Sequence, residues 1–347
     1  MLAAIFHSPN VITVEERQLP KSKNGTLIRV SACAVCGYDA RVFRNGHQKV
    51  KPPVILGHEL CGEILETVNT HNGKVIQSGT RVAVSPIISC LNCRYCNNKQ
   101  YNLCTNLREI GSTVDGGFAE YVKIPEQTLQ IGGIVPIPAG LTNEEAALIE
   151  PLACCINGFS QMGKINCESR VTIIGDGPIG LLHLQLSKLY GAKAIMVGKN
   201  VERIGKAKSI GADEVIFANN LKQTREDILQ YTNGIGANAI IIATSNSAAL
   251  NLATAIASKG SKINIFGGMP KETKISIDPN WLHYNQISLI GSFSSTPNML
   301  QEAARLAAKK HVDLAKIISH RFSLDHIEEA IGVTEKYYGL RAIINRF

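Results

Sequence analysis

The segment VTIIGDGPIG at residues 171–180 decides the fold of the second half of the chain. Its β-branched start is typical of a buried strand, and the helix-forming run LLHLQLSKLYG follows directly. Gly175, Gly177 and Gly180 form G-x-G-x-x-G at this strand-to-helix turn, where glycines allow a tight turn, close approach of a pyrophosphate and close helix packing. We expect a dinucleotide to bind at this turn, whose residues are Gly175, Asp176, Gly177, Pro178, Ile179 and Gly180.

The sequence around this turn predicts two domains. Short apolar strands (AIMVG, NAIIIAT, KINIFG) alternate with helical stretches, which is typical of a parallel sheet with crossover helices. Residues 1 to about 135 instead contain β-rich runs between turn signals (GTLIRVSA, GTRVAVS, FAEYVKI), so a mostly β domain precedes the α/β domain. Two helical segments and a last strand, LRAIINRF, follow, and their pattern leaves open whether they return to the first domain.

The end of the second α/β strand, IMVGKNVER at residues 195–203, predicts the choice of cofactor. An acidic residue at this point would bind the ribose 2′-hydroxyl of NAD, but the chain has Gly198 there, followed by Lys199 and Arg203. A glycine makes room for a 2′-phosphate, and two cations can pair with it. We therefore expect NADP(H) to be preferred over NAD(H), although Lys199 and Arg203 could also be ordinary surface charges.

Four cysteines lie close together in SCLNCRYCNNKQYNLC, residues 89–104. Their spacing, C-x2-C-x2-C-x7-C, suits a closed tetrahedral zinc site with a structural role. A disulfide staple, a nucleic-acid-binding zinc knuckle and an iron–sulfur cluster are the alternatives, and the last two leave the α/β half unexplained. The expected ligands are Cys90, Cys93, Cys96 and Cys104.

A second set of zinc-ligand side chains lies upstream. CAVCGYDARVF contains Cys36 and Asp39, and PVILGHELCG contains His58 and Glu59. Three protein ligands would leave a coordination position for water or substrate, as in catalytic zinc sites. Spacing alone indicates this site only weakly, because a single histidine after a strand is usually not a metal ligand.

Composition limits the class of protein. The 347 residues are 45% hydrophobic and 18% charged, with no apolar run long enough to cross a bilayer and no cationic leader, so we expect a cytoplasmic protein without membrane contact. Ten cysteines in a reducing compartment favour metal binding over disulfides. The net charge of +8 is spread along a chain with only 5% aromatic residues, so we expect no nucleic-acid partner.

These motifs together resemble a known family. C-G-Y-D at 36–39, G-H-E-L-C-G at 57–62, the four-cysteine loop, G-G-F-A-E-Y at 116–121, E-P-L at 150–152 and G-D-G-P-I-G at 175–180 occur in the order seen in zinc-dependent medium-chain dehydrogenases. The resemblance covers nearly the whole chain and is closest to the sorbitol (polyol) and threonine dehydrogenase branch, because Glu150 stands where alcohol dehydrogenases have a cysteine.

The resemblance implies an architecture and a set of ligands. A GroES-like catalytic domain would comprise residues 1–149 and 290–347, with a Rossmann domain at 150–289 inserted between them. By resemblance, Cys36, His58 and Glu59 bind the catalytic zinc, and Glu150 binds the zinc or its water. Asp39 would orient His58 through the second ring nitrogen.

Several positions depart from the family. Tyr38 replaces the serine or threonine that passes on the hydroxyl proton, and Arg41 stands where a relay histidine is common. A phenol can also relay a proton. Val42 and the pair Ser294–Ser295 replace side chains that contact substrate in sorbitol dehydrogenases, while RVFRNG at 41–46 resembles dehydrogenases of phosphorylated sugar alcohols, so Arg41 or Arg44 could meet an anionic substrate.

The expected function is interconversion of a secondary alcohol, such as a polyol or sugar derivative, and its carbonyl form with NADP(H) and zinc. The alternatives are a reductase of small aldehydes or ketones, and a zinc- and nucleotide-binding protein without catalysis. Members of the family are dimers or tetramers, and the polyol branch favours a homotetramer.

Overall fold

The computed structural model describes residues 1–70, 73 and 75–347. The chain divides into two compact units, one formed by Met1–Ala153 and Ser294–Phe347 and the other by Cys154–Phe293. The domain bounds expected from the sequence, 1–149 and 290–347 for the first domain and 150–289 for the second, differ from these by four residues at each boundary. Within the described residues, no helix has the length and apolar character needed to cross a membrane.

The strands and helices are numbered in chain order. The strands are β1 (Leu2–Ser8), β2 (Val11–Glu16), β3 (Gly25–Ala34), β4 (Val54–Ile55), β5 (Glu59–Ile64), β6 (Val68–Asn69), β7 (Val75–Ile76), β8 (Arg81–Val84), β9 (Ile87–Ile88), β10 (Arg108–Glu109), β11 (Tyr121–Pro125), β12 (Ile134–Pro136), β13 (Arg170–Ile174), β14 (Lys193–Gly198), β15 (Glu214–Phe217), β16 (Ala237–Ile242), β17 (Ala257–Ile265), β18 (Ser288–Gly291), β19 (Ile318–Ser323) and β20 (Arg341–Arg346). The α-helices are α1 (Gly37–Asn45), α2 (Arg94–Asn97), α3 (Glu126–Gln130), α4 (Asn143–Ala147), α5 (Ile149–Gln161), α6 (Pro178–Leu189), α7 (Val201–Ile210), α8 (Leu221–Tyr231), α9 (Ala248–Ile256), α10 (Pro279–Asn285), α11 (Pro297–Ala308) and α12 (Ile327–Glu335). Short 3-10 helices cover Tyr101–Leu103, Leu314–Ile317 and Leu324–His326.

The first unit is built around a seven-stranded sheet in the order β12-β8-β5-β3-β20-β19, with β11 also paired to β3. Its apolar side chains form a core that includes the fully buried Phe6, Ile28, Leu56, Leu60 and Phe118. Strand β20 pairs antiparallel with β3 and parallel with β19. The C-terminal segment therefore returns to the first unit, a point that the sequence pattern left open and the resemblance implied.

The second unit contains a six-stranded parallel sheet in the order β15-β14-β13-β16-β17-β18. Counted from β13, this is the strand order 3-2-1-4-5-6 of dinucleotide-binding folds. Its strands are rich in Ile and Val, because a parallel sheet covered by helices is buried on both faces. The predicted fold class, a β domain carrying an inserted α/β domain, is confirmed.

Candidate zinc centres and cofactor site

Strand pairing brings the three predicted donors of the first unit together. Ala34 at the end of β3 is paired with Glu59 at the start of β5. Cys36 follows β3 by two residues and precedes α1, while His58 immediately precedes β5. One donor atom each from Cys36, His58 and Glu59 therefore lies within 4.8 Å of the others. A thiolate, an imidazole and a carboxylate are the donors of open zinc sites.

Asp39 connects the cysteine to the histidine. Its Oδ2 accepts a hydrogen bond of 2.8 Å from the backbone N–H of Cys36, and its Oδ1 lies 3.5 Å from Nδ1 of His58. Burial opposes a charged imidazole, but the negative charges of Asp39 and Cys36 outweigh it and raise the pKa of His58 well above its usual value. The same negative surroundings favour a metal cation beside His58. The predicted contact between Asp39 and His58 is present.

Glu59 and Arg341 form a buried ion pair behind these donors. Nη2 of Arg341 lies 2.9 Å from Oε1 of Glu59, and Nη1 donates to the carbonyl of Val35 at 3.1 Å. The other carboxylate oxygen of Glu59, Oε2, is buried without a hydrogen-bond partner among the described residues. Since a buried carboxylate oxygen needs a partner, this oxygen suits a metal ligand. The donor set therefore fits zinc in chemistry and charge.

Tyr38 lies beside the same donors and contacts a residue that the sequence did not indicate. Its hydroxyl is 2.7 Å from Oγ of the buried Ser112, and its ring meets the rings of His58 and His47 edge-on, with centroids 5.8 and 5.6 Å apart. Burial raises the pKa of Tyr38, and the hydrogen bond to Ser112 opposes part of that rise. Ser112 is 74 residues from Tyr38 in sequence, so only the fold reveals the pair.

The remaining predicted site residues of the first unit are placed differently. Glu150 is buried in the first turn of α5, and among the described residues the donor cluster comprises Cys36, His58 and Glu59 without it. Arg44 forms an ion pair with Glu335 of α12. Arg41 is exposed on α1. The direct role of Glu150 stays a prediction.

The four cysteines of the 89–104 loop converge as their spacing predicted. Donor atoms of Cys90, Cys93, Cys96 and Cys104 all lie within 4.8 Å of one another. Sγ of Cys96 is 3.6 Å from that of Cys93 and 4.0 Å from that of Cys90, far beyond a disulfide bond. Zinc–sulfur bonds of about 2.3 Å in a tetrahedron place sulfur atoms about 3.8 Å apart, so the loop fits zinc.

Backbone amide groups also favour thiolates in this loop. Hydrogen bonds from the amides of Cys96 and Thr105 lower the pKa of Cys93 to about 5, and the amide of Asn92 lowers that of Cys90. Burial has the opposite effect on Cys96, whose pKa is raised to about 12. A divalent cation would compensate for this burial, because zinc binds thiolates rather than thiols.

The glycine-rich turn of the second unit has the geometry expected for a dinucleotide. Gly175 has a φ of +123°, which a side chain would strain, and a Cβ at Gly180 would lie 1.8 Å from the carbonyl oxygen of Gly175. The backbone of Gly177 is open, and the nearest atom to a Cβ there would be Nη1 of the buried Arg203, at 4.0 Å. An open backbone at the start of α6 beside a guanidinium fits a phosphate group.

The space beside Gly198 differs from the expectation. A Cβ at this position would meet the Asp176 side chain, 2.4 Å from Oδ2 and 2.5 Å from Cβ. Oδ2 of Asp176 also accepts hydrogen bonds of 2.8 Å from the backbone N–H groups of Lys199 and Asn200. Gly198 therefore makes room for a carboxylate of the chain itself. Lys199 is exposed at the start of the same loop.

The two donor sets fit zinc, and the 3-2-1-4-5-6 sheet is that of dinucleotide-binding folds; together they fit a zinc-containing dehydrogenase. Residues 22–138 match the model of the alcohol dehydrogenase GroES-like domain, and residues 178–309 match that of the zinc-binding dehydrogenases. These matches confirm the expected GroES-like domain and the nucleotide-binding domain.

Similar proteins agree with these matches. The D-arabitol-phosphate dehydrogenase of Enterococcus avium is 31% identical over 309 residues, which cover 88% of this chain and 85% of the relative. The sorbitol dehydrogenase of Bacillus subtilis (strain 168) is 31% identical over 340 residues, covering 95% and 92%. A zinc-binding dehydrogenase structure from Sinorhizobium meliloti 1021, solved with NADP, superimposes with a TM-score of 0.89 at 30% identity, covering 99% and 98%. The chain belongs to the zinc-dependent medium-chain dehydrogenases, in the sorbitol dehydrogenase-like branch.

Proposed function

We propose that the chain oxidises a secondary alcohol of the polyol or sugar-alcohol type and reduces the corresponding carbonyl, with NADP(H) as the hydride carrier. The observation that carries the proposal is the convergence of Cys36, His58 and Glu59 within 4.8 Å, with Oε2 of Glu59 buried and without a hydrogen-bond partner in the described structure. The names of the arabitol-phosphate and sorbitol dehydrogenase relatives support a polyol substrate.

Each candidate site residue of the first unit has a proposed role. Cys36, His58 and Glu59 hold zinc, which when bound supplies a Lewis acid that lowers the pKa of a substrate hydroxyl. Asp39 keeps the His58 ring oriented through Nδ1 and holds the amide of Cys36, so both ligands stay in place. Glu150, buried at the start of α5, is the proposed fourth donor or the group that binds the metal's water.

Tyr38 is the proposed group that moves the hydroxyl proton. Its position beside His58 and its hydrogen bond to Ser112 support this role, since Ser112 can accept or donate a proton in the same hydrogen bond. The exposed His47 packs edge-on against Tyr38 and lies toward solvent. In this arrangement the phenol replaces the serine or threonine that is usual in the family.

The four-cysteine loop is proposed to hold a second, structural zinc. All four coordination positions of this zinc would be filled by thiolates, so no position would be left for substrate. Its role is to fix the loop between β9 and β10.

NADP(H) is the proposed carrier in the second unit, and it supplies the hydride chemistry when bound. The exposed Lys199 directly after β14 supports the preference, and the buried Arg203 next to Gly177 adds positive charge to the turn. The Asp176 carboxylate beside Gly198 opposes it. The NADP-bound structure from Sinorhizobium meliloti adds support. The remaining turn residues, Gly175, Asp176, Pro178, Ile179 and Gly180, form the proposed backbone site for the pyrophosphate.

A phosphorylated sugar alcohol is a second candidate substrate. The name of the Enterococcus relative supports it, and Arg41 is an exposed cation on α1, the helix that follows Cys36. Arg44 contributes less, because Glu335 already neutralises its charge. We further propose a cytoplasmic homotetramer, in which the reducing compartment keeps the cysteines as thiolates or thiols for metal binding.

The proposal is tested on one preparation by elemental analysis followed by an activity panel. We expect about two zincs per chain and NADP⁺-dependent oxidation of at least one polyol or polyol phosphate. Activity confined to small aldehydes or ketones would favour the carbonyl reductase instead. Two zincs and bound cofactor without turnover on any alcohol or carbonyl would indicate a non-catalytic protein and refute the enzyme proposal.

A further inference from the structure

The Asp176 side chain occupies the place that an acidic residue at position 198 would fill. Position 198 ends β14, where dinucleotide-binding folds carry the acid that binds the ribose 2′-hydroxyl. The sequence has glycine there, yet a Cβ at that position would lie within 2.6 Å of three atoms of Asp176. A carboxylate missing from one sequence position is thus supplied in space by another.

This carboxylate is also held firmly by the start of α7. Its Oδ2 accepts both the Lys199 and the Asn200 amide, each at 2.8 Å, and Asn200 is the N-cap of α7. Hydrogen bonds from amides to a carboxylate are charge-assisted, and the helix dipole adds to them. The two N–H groups that could receive an anionic ligand at this loop are therefore already bonded to an anion.

We propose that Asp176 is the residue that sets how strongly the chain discriminates between NADP(H) and NAD(H). Its carboxylate acts as an internal anion: it competes with a 2′-phosphate for the Lys199 and Asn200 amides and repels the phosphate charge. The proposal rests on the proposed nicotinamide cofactor binding at this turn, but not on NADP(H) being the preferred form.

Opposing charges frame this role. The exposed Lys199 attracts a phosphate to the loop, whereas Asp176 opposes it, so the cofactor preference is the difference between the two effects. The effect of Asp176 has the opposite sign for NAD(H), because a carboxylate is a good acceptor for a ribose hydroxyl. Removing the charge at residue 176 must therefore change the two affinities in opposite directions.

The test uses the fragments that isolate the 2′-phosphate. Calorimetric titrations with 2′,5′-ADP and with 5′-ADP are made on the wild-type protein and on Asp176→Asn, which keeps the side-chain shape. We expect the affinity ratio to shift toward 2′,5′-ADP by about tenfold in the variant, because one full charge is removed close to a phosphate. NADP⁺ and NAD⁺ titrations should shift in the same direction.

Asp213→Asn is the matched control. Asp213 also accepts a backbone amide of the same strand, that of Ala194, at 2.7 Å, but near the opposite end of β14. The Asp213→Asn variant should leave the ratio of the affinities for 2′,5′-ADP and 5′-ADP unchanged. Asp176→Ala provides a second variant if the asparagine protein does not fold, and melting temperatures identify a folding defect in either.

The outcomes separate the inference from the proposed function. A ratio that stays within about twofold of wild type in the folded Asp176 variants, or an equal loss for both fragments, would overturn the inference. Preference for 5′-ADP in the wild type would refute the proposed NADP(H) preference, yet a tenfold shift in Asp176→Asn would still support the role of Asp176.

Discussion

The two donor sets of the first unit are assembled in different ways. Cys90, Cys93, Cys96 and Cys104 come from one loop and depend on local backbone amides. Cys36, His58 and Glu59 come from the ends of neighbouring strands and are supported by charges from distant parts of the chain, among them Arg341 in the last strand. The difference teaches that the ligands of the loop are neighbours in sequence, whereas those of the other set come together only through the pairing of β3 with β5.

The largest effect should separate the two sets by activity. Cys36→Ser removes a ligand of the open site, which is the proposed zinc site of Cys36, His58 and Glu59. We expect turnover to fall at least about a thousandfold, because several kcal/mol of Lewis-acid stabilisation are lost. Zinc content should fall from about two to about one per chain, with the four-cysteine loop still loaded. Elemental analysis and turnover on the same sample check this; retained activity would contradict the assignment of the catalytic set.

Arg341→Met tests the distant support of the open site. In the zinc-free protein it leaves Glu59 buried and without a cation, so we expect the free energy of unfolding of that form to fall by about 3–5 kcal/mol. The matched control is Arg321→Met. Arg321 lies in the neighbouring strand β19 and forms an ion pair with Glu144 of α4. Its side chain is 53% exposed, so loss of this pair should cost about 1 kcal/mol or less. Denaturant titrations measure both, and equal losses would show that burial of the Glu59 pair has no special cost.

Cys104→Ser tests the local set. Loss of the structural zinc should lower the unfolding midpoint by about 5–10 °C. The activity per folded molecule should stay near wild type at low temperature, because a zinc held by four thiolates has no coordination position for substrate. Scanning calorimetry measures the unfolding midpoint, and an assay at low temperature measures the activity of the folded protein. Loss of activity in fully folded protein would mean that the two donor sets depend on each other.

The smallest effect concerns orientation. Asp39→Asn keeps the shape of the side chain but removes the charge facing His58, so the affinity of the open site for zinc should fall by about 10–100-fold. Competition with a chelator measures this affinity, and the loop zinc serves as the internal control. Unchanged zinc affinity would show that His58 needs no orienting carboxylate.

The same contrast explains which parts of the site the sequence revealed. The four-cysteine loop was predictable from spacing alone, since all its ligands lie within residues 90–104. Cys36 and His58 are 22 positions apart, so their spacing is only a weak indication of a shared metal site. Their assignment as ligands came from the family resemblance. Ser112 and Arg341 gave no signal, because their partners Tyr38 and Glu59 become neighbours only through sheet pairing.

The fold was predicted in a similar way. The glycine-rich turn and the repeated apolar strands identified the α/β unit, because parallel strands leave a strong local pattern. The return of β20 to β3 is a pairing between the two ends of the first unit, and local pattern carries no information about such a partner. At Gly198 the sequence showed a missing side chain, but the replacement by Asp176 depends on the turn geometry.

The position of Arg341 in the last strand also has a consequence for biosynthesis. A ribosome makes the chain from its N-terminus, so all four cysteines of the loop are made before the α/β unit. Glu59 receives its cation only after β20 has left the ribosome and paired with β3. Synthesis of β20 is thus a condition for the Arg341–Glu59 pair, and a chain that stops before β20 would keep the four cysteines but lack this support of the proposed catalytic centre.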